Sequence, residues 1–462
     1  MRRDEASFFS ELAICFRLSV PFAGAQLSQV ALNFVATLAM GALGPTALAG
    51  GALGVLVFST LVVLCSGLLS AVGALAAEAH GARSPSRVAR VTAGGFLVAA
   101  ALSGPCAVLM AWPAFLFEAL REPSVVAAGA TEYLQSVFWA FPAALGFLVL
   151  RNFVGALGRP RAATLIMFGG VALAHALNRA VLVGGLGKSL VGLHGIGLTT
   201  GIAHCAMLAS LATYVCLASP FREHPIFSEV FRVDPRTLAE LVRLGAPVGV
   251  MFGLEAGLFT VSGFLMGKLG STALAAHQIV AQTSYLAFMI PSGIGMAATV
   301  RIGHASGAKD ATRIRMAAWA AISLGVLLMI LTSALFLIAP RYLAGFYLDT
   351  RDPQNAEVVA QASALFGVAA IFQIADGVQG VAAGALRGLR DTRVPLQISV
   401  LAYWGIGLTT GFALAFRQNL GAVGLWYGIG AGLSAAAVLL GLRLYRVTRS
   451  SAPQQPTMTS PT

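Results

Sequence analysis

Stretches of about 20 apolar residues without a single charge return along the whole chain, and each matches the ~30 Å hydrocarbon thickness of a bilayer. LGVLVFSTLVVLCSGLLSAVGAL from Leu53 and ISLGVLLMILTSALFLIA from Ile322 are two of them. A water-soluble fold has too little interior to hide so many. Hydrophobic residues make up 57% of the 462 and charged ones 10%, with a mean hydropathy of +0.82. The expected fold class is therefore an all-α integral membrane protein. Reading the apolar runs against their breakers gives twelve spans, roughly 15–40, 46–75, 91–113, 125–149, 162–184, 195–218, 245–266, 273–299, 315–338, 357–385, 394–416 and 422–444. The 52 glycines fit close helix packing in lipid, where small residues let backbones approach.

The net charge of +12 does not indicate nucleic acid, because the basic residues neither cluster on one face nor alternate with stacking aromatics. They punctuate the spans instead. With the N-terminus cytoplasmic, about 23 of the 30 Lys and Arg fall on the cytoplasmic side, which sets an N-in, C-in topology. Arg83, Arg90, Arg159, Arg301, Lys309, Arg387, Arg390 and Arg446 are among them, and all are read as topological. Five cysteines without CxxC spacing suggest neither disulfides nor a metal site. MRRDEASFFSELAICFRLSVP has no charge-free core followed by a small-residue cleavage site, so the first span is expected to direct insertion itself.

The two halves of the chain repeat each other. Arg17-LSVP aligns with Arg243-LGAP, GALGPTALAG at 41 with GKLGSTALAA at 267, and Gly81-AR with Gly307-AK, all at one gap-free offset. An even number of spans per unit gives both halves the same orientation, hence a pseudo-twofold axis along the membrane normal and a cleft between two six-helix lobes. The expected division is 1–218 for the first lobe, 219–244 for a cytoplasmic linker partly helical at the membrane surface, and 245–446 for the second lobe. The polar, proline-rich segment 447–462 reads as a disordered tail.

A carboxylate inside a bilayer is expensive and persists mostly where it has a task. Of the 18 acidic residues, Glu255 in VMFGLEAGLFTVSG and Asp376 in IFQIADGVQGVAAGA lie well inside apolar helices, both in the second half. Two carboxylates on one cavity can hold a monovalent cation or share a proton. The alternative is a pair of acids hydrogen-bonded to fix helix packing. Gln373, Gln379, Gln278 and Gln282 are candidate lining residues of the same cavity. His277 fits a helix-contact histidine as well as a proton carrier. Asn178 is the polar candidate of the first lobe. Phe259, Tyr285 and Phe288 are candidate aromatic faces of that cavity, able to attract a cation. Pro21, Pro142, Pro247 and Pro291 fall inside spans and can kink them. No nucleophile and base, no HExxH and no phosphate-cradling GxxxxGK[ST] occurs in the sequence, so neither an enzyme nor direct use of ATP is expected, no cofactor is implied, and an ion gradient is left as the energy source.

On these residues the chain resembles the multidrug and toxic compound extrusion (MATE) family, NorM-like branch. GLEAGLFTVSGFLMGKLGSTALAAHQIV and MIPSGIGMAATVRIGHASGA are similar to that branch's helices 7 and 8, QIADGVQGVAAGALRGLRDTRVP to helix 10 and the loop after it, and FPAALGFLVLRNFVGALGRPR to the helix 4 to 5 stretch. The resemblance implies a V-shaped, MOP-type antiporter of the bacterial inner membrane. It would work as a monomer, expelling cationic amphipathic drugs in exchange for Na+ or H+. Glu255 and Asp376 match the family's cation-site acids, so Na+ would sit there. Two positions depart from the pattern. Ala36, flanked by Asn33 and Thr37, stands where relatives often carry a first-lobe acid, and Phe372 stands where relatives place a tyrosine near the cation. A flippase for a lipid-linked precursor shares the architecture but would need a basic cavity for pyrophosphate, which the spans are not expected to offer.

Overall fold

The computed structural model describes residues 8–184, 191–229 and 232–450. Within them, twelve helices are long and apolar enough to cross a membrane. They are α1 (Phe8–Ala42), α2 (Pro45–Gly81), α3 (Pro85–Ala111), α4 (Ser124–Ala156), α5 (Arg161–Leu182), α6 (Leu193–Leu217), α7 (Pro235–Leu269), α8 (Ser271–Gly307), α9 (Ala311–Ile338), α10 (Pro353–Gly388), α11 (Arg393–Arg417) and α12 (Gly421–Arg449). The expected number, order and class of spans are therefore borne out.

Several boundaries differ, for physical reasons. Helix α4 was expected to stop at 149, before Arg151 and Asn152, yet it continues to Ala156 with every residue from Ala143 buried. Protein rather than lipid surrounds this stretch, and Asn152 finds a partner there in the Leu69 carbonyl at 3.0 Å. A single 3₁₀ turn, Phe138–Ala140, interrupts α4 immediately before Pro142, as expected where a proline cannot continue the hydrogen-bond ladder. Helix α7 begins ten residues early, at Pro235, because Asp234 caps it by accepting a hydrogen bond from the Thr237 amide at 3.0 Å. The last ten of the 26 residues expected as linker are thus the start of a span, and the remainder holds a turn at Phe221–Glu223 and the one-turn helix Ile226–Glu229. Helix α12 runs through Arg449, past the expected start of the tail at 447. The rest of that tail, from 451, and the first seven residues lie outside the described residues. In α11, Val400–Leu408 and Ala413–Arg417 are π-helical.

The sequence repeat reappears in the backbone. Gly44 and Gly270, paired by the repeat, both take positive φ (111° and 124°) before the next helix starts. Arg83 and Lys309, likewise paired, sit at φ 56° and 55° just after α2 and α8 end, a left-handed closure of the helix C-terminus. The interior divides into two apolar cores with a symmetric exchange at their border. Cys15 and Phe22 of α1 belong to the core built mainly from α7–α12, while Leu241 and Leu244 of α7 belong to the core of α1–α6. Each half thus lends the first turns of its leading helix to the other.

These crossings occur at the arginine-rich end. A Cβ on Gly81 would strike the His304 carbonyl and one on Gly307 the Glu78 carbonyl, and the repeat relates these contacts to each other. Salt bridges join the halves there, Arg87 to Glu240 at 3.3 Å and Arg390 to Glu78 at 3.4 Å and to Glu240. Deeper in, Arg301 of α8 grips Glu11 of α1 through two hydrogen bonds, 2.6 and 3.2 Å, with Glu11 only 2% exposed. Removing one partner of such a buried pair costs about 3 kcal/mol. Glu11→Ala is expected to lower the melting temperature of the detergent-solubilised protein clearly more than Asp349→Ala in an exposed loop, and equal shifts would count against the pair as an anchor.

Candidate functional site

Between the halves lies a cleft whose wall is made by α1, α2, α7, α8 and α10. Its wider compartment, about 340 Å3, is lined by Glu255, Asp376, Gln278, Gln282, Tyr285, Phe259 and Phe372, with Phe288 and Gln26 opposite. The two acids come from different helices and are drawn together by one amide. Gln379, one turn beyond Asp376 on α10, donates from Nε2 to Asp376 Oδ1 at 3.2 Å and to Glu255 Oε1 at 3.4 Å. The Tyr403 hydroxyl donates to Gln379 Oε1 at 2.7 Å. Because ionised carboxylates only accept hydrogen bonds, the NH2 end of the amide must face them, which leaves its oxygen to accept from the Tyr403 hydroxyl. Asp376 is 7% exposed, and Glu255 is half-buried at the cleft surface.

A neutral amide satisfies part of each carboxylate without cancelling its charge. Each oxygen keeps lone pairs free, so the pair can take up a proton or a monovalent cation. Tyr403 was not singled out from the sequence, since one hydroxyl in the apolar run VLAYWGIGL carries no periodic signal. Tyr403→Phe removes the bond that orients Gln379, a change worth about 1 kcal/mol, and is expected to weaken ion-dependent transport about fivefold while expression stays normal. Unchanged transport would mean that the amide orients itself.

The structure does not bring every expected residue to the cleft. Phe372 does line it, stacked 6.0 Å from Trp426 at 25°, and offers no oxygen. Gln373 is fully buried, with neither amide atom bonded. His277 is buried beside Trp426, ring centroids 5.7 Å apart, which places it as a helix-contact histidine away from the wall. Asn178 lies within the first half, its Oδ1 accepting from Thr199 Oγ1. Asn33 is half-buried on α1, one turn before Thr37, whose hydroxyl bonds the Asn33 carbonyl at 3.0 Å; none of these four lines the cleft. Ala36 is buried. Among the described residues no group of three His, Cys, Asp or Glu could hold a metal ion.

Two arginines overturn an expectation. The cleft narrows towards the arginine-rich end into a second compartment of about 90 Å3, and its wall includes Arg151 of α4 and Arg387 of α10. Arg387 is thus a cleft residue, not only a topological one, and the spans do offer basic groups. The reason is length: α10 reaches Gly388, so Arg387 is its last turn and leans back along the helix into the cleft.

The same architecture is found in known proteins. The MatE family model matches residues 21–181 and again 247–413, once in each half. The chain belongs to the MatE family. It is 39% identical over 435 residues to the multidrug resistance protein NorM of Burkholderia vietnamiensis, with 94% of each chain covered. A Vibrio cholerae MATE transporter, VcmN, solved in a bent form, superposes with a TM-score of 0.83 at 20% identity over 97% of this chain and 99% of that one. A MATE family transporter of the MOP superfamily, described as outward-facing, gives 0.86 at 16% identity, covering 96% and 97%. MatE membership makes this a multi-pass membrane transporter.

Proposed function

We propose that the protein exports amphipathic organic cations, drugs among them, in exchange for Na+ or H+, by alternating access of its two halves. The observation that carries this reading is the pair Glu255 and Asp376, bridged by Gln379 in a cleft between the two halves. The name of the Burkholderia relative supports multidrug substrates. The carboxylates attract a cationic substrate, and the aromatic faces of Phe259, Phe288 and Tyr285 hold its apolar part. Cation or proton binding at the same pair competes with that attraction and favours release.

With the arginine-rich end cytoplasmic, as the positive-inside rule requires, the halves are closed towards the cytoplasm and the cleft is reached from outside. N- and C-termini then face the cytoplasm of a bacterial inner membrane. In this reading one chain is the working unit, and each half, 1–218 and 245–446, moves as a lobe. Substrate-triggered ion flux in proteoliposomes, with sodium and proton gradients imposed separately, tests the reading. Flux driven by one gradient and stimulated by ethidium is expected, and ethidium movement indifferent to both gradients would overturn it.

A further inference from the structure

Charge at the narrow end of the cleft is opposite in sign to charge at its wide end. Arg151 is only 6% exposed, and its one side-chain hydrogen bond runs from Nη1 to Gln26 Oε1 at 3.4 Å. Arg387 sits with its guanidinium 5.9 Å from the centre of the Phe252 ring. The Nε of each is buried and has no hydrogen-bond partner. Among the described residues neither takes part in a salt bridge, although Arg87, Arg301, Arg313, Arg390 and Arg443 all do. A guanidinium carries five N–H donors, and leaving them unmet inside a membrane protein is costly unless they serve a ligand or pathway.

We infer that Arg151 and Arg387 form a carboxylate-binding subsite, so that the cleft accepts zwitterionic amphipaths, with the cationic end at Glu255 and Asp376 and the carboxylate at the arginine pair. This rests on the export reading above and assigns the residues that hold the acidic end of a substrate. Gln26 and Phe252, against which the two guanidiniums rest, are the same position of the repeat. The two cations therefore approach the axis from opposite halves and can flank one group lying on it. Ser66, Ser70, Ser292 and Asn152 add neutral polar atoms to the same wall.

Charge balance selects the ligand. Two guanidiniums face one carboxylate, Glu255, in the narrow compartment, which leaves room for a single added negative charge. A pyrophosphate would set its further charges against Glu255. Both compartments share Gln26, Ser66, Phe252, Glu255, Phe288 and Ser292, so one molecule can occupy both. Eleven residues of α10 separate Asp376 from Arg387, about 16 Å along the axis at 1.5 Å per residue. The arginine side chain leans towards Asp376, which shortens the distance between charges to the order of 10 Å. That suits an elongated aromatic zwitterion with charges at opposite ends.

A matched pair of dyes tests this on the purified full-length protein in nanodiscs, by fluorescence polarisation. Rhodamine B carries a cationic xanthene and a carboxylate, and its ethyl ester keeps the cation and loses the carboxylate. The wild type is expected to bind rhodamine B more tightly. Arg151→Gln and Arg387→Gln should each raise its Kd about tenfold or more, the scale of a lost charge-assisted hydrogen bond, with the ester within twofold of wild type. Equal Kd values for the two dyes in the wild type, a parallel loss of both in the variants, or displacement of rhodamine B by pyrophosphate where benzoate fails would each overturn the subsite.

Should the glutamine variants not assemble, Arg151→Lys and Arg387→Lys give the result. They keep the charge and lose the fork, so a weakened preference for rhodamine B is expected, and an unchanged Kd in both counts against the proposal. The outcomes also separate the two readings. Rhodamine B bound without its ester upholds the subsite and sinks cation export, the ester bound as well as rhodamine B sinks the subsite alone, and neither dye bound sinks both.

Discussion

Glu255→Gln and Asp376→Asn are each expected to reduce gradient-driven ethidium efflux from vesicles to the level of vesicles without the protein, with membrane expression unchanged. Both changes keep the shape of the side chain and an oxygen to accept the Gln379 amide bond, so the packing between α7 and α10 should hold. What is lost is the negative charge that a cation or proton must meet. The two substitutions should nevertheless fail differently. Glu255 lies on the wall shared by both compartments, so its loss should raise the dye concentration needed for half-saturation as well as lower the rate. Asp376 lines only the wider compartment and is 7% exposed, so Asp376→Asn should lower the maximal rate and weaken dye binding less than Glu255→Gln does. Efflux that still follows an imposed sodium or proton gradient in both variants would refute the coupling assignment, whatever the effect on binding.

The parts of this site that could be read from the amino-acid sequence are those where a single residue violates its surroundings. A carboxylate at 255 or 376 is conspicuous in an apolar span, because its cost in lipid is large. Gln379 could be noticed for the same reason, though not that its amide reaches both acids. Arg151 escaped because a cation near the end of an apolar run reads as a loop residue, and only the burial of α4 through Ala156 shows that the run continues. Arg387 escaped because the positive-inside rule already accounted for it. His277 and Asn178 show where the sequence leaves a choice open. A polar residue in a span can face the cleft or a neighbouring helix, because helices of a twelve-span bundle have several buried faces, and hydropathy alone does not tell one from another. The fold was easier to read than the site. Span length follows from bilayer thickness, and the repeat is written in matched glycines such as Gly81 and Gly307, whose reason is the backbone contact each makes across the axis.

That contact gives the second large prediction, for Gly307→Val. A Cβ at 307 would collide with the Glu78 carbonyl and stand 2.7 Å from the Ala82 amide nitrogen, and both obstacles are backbone that cannot swing aside. Relief requires α2 and α8 to part at the arginine-rich end, against the salt bridges of Arg390 and Arg87. Overpacking of this kind costs about 3 kcal/mol, which shifts a two-state equilibrium by roughly 150-fold. The closed arrangement should therefore lose its place as the main state. In a cysteine-free background, Ser70→Cys at the narrow end of the cleft should react with a membrane-impermeant maleimide applied from the arginine-rich face. The rate should rise more than tenfold when Gly307→Val is added. Gly441→Val is the matched control, since nothing lies within 4 Å of the Cβ it would add, and it should leave labelling unchanged. Gly81→Val should act like Gly307→Val, because the pseudo-twofold axis makes their contacts equivalent. A rise in only one of them would mean that the two halves do not separate as symmetric lobes.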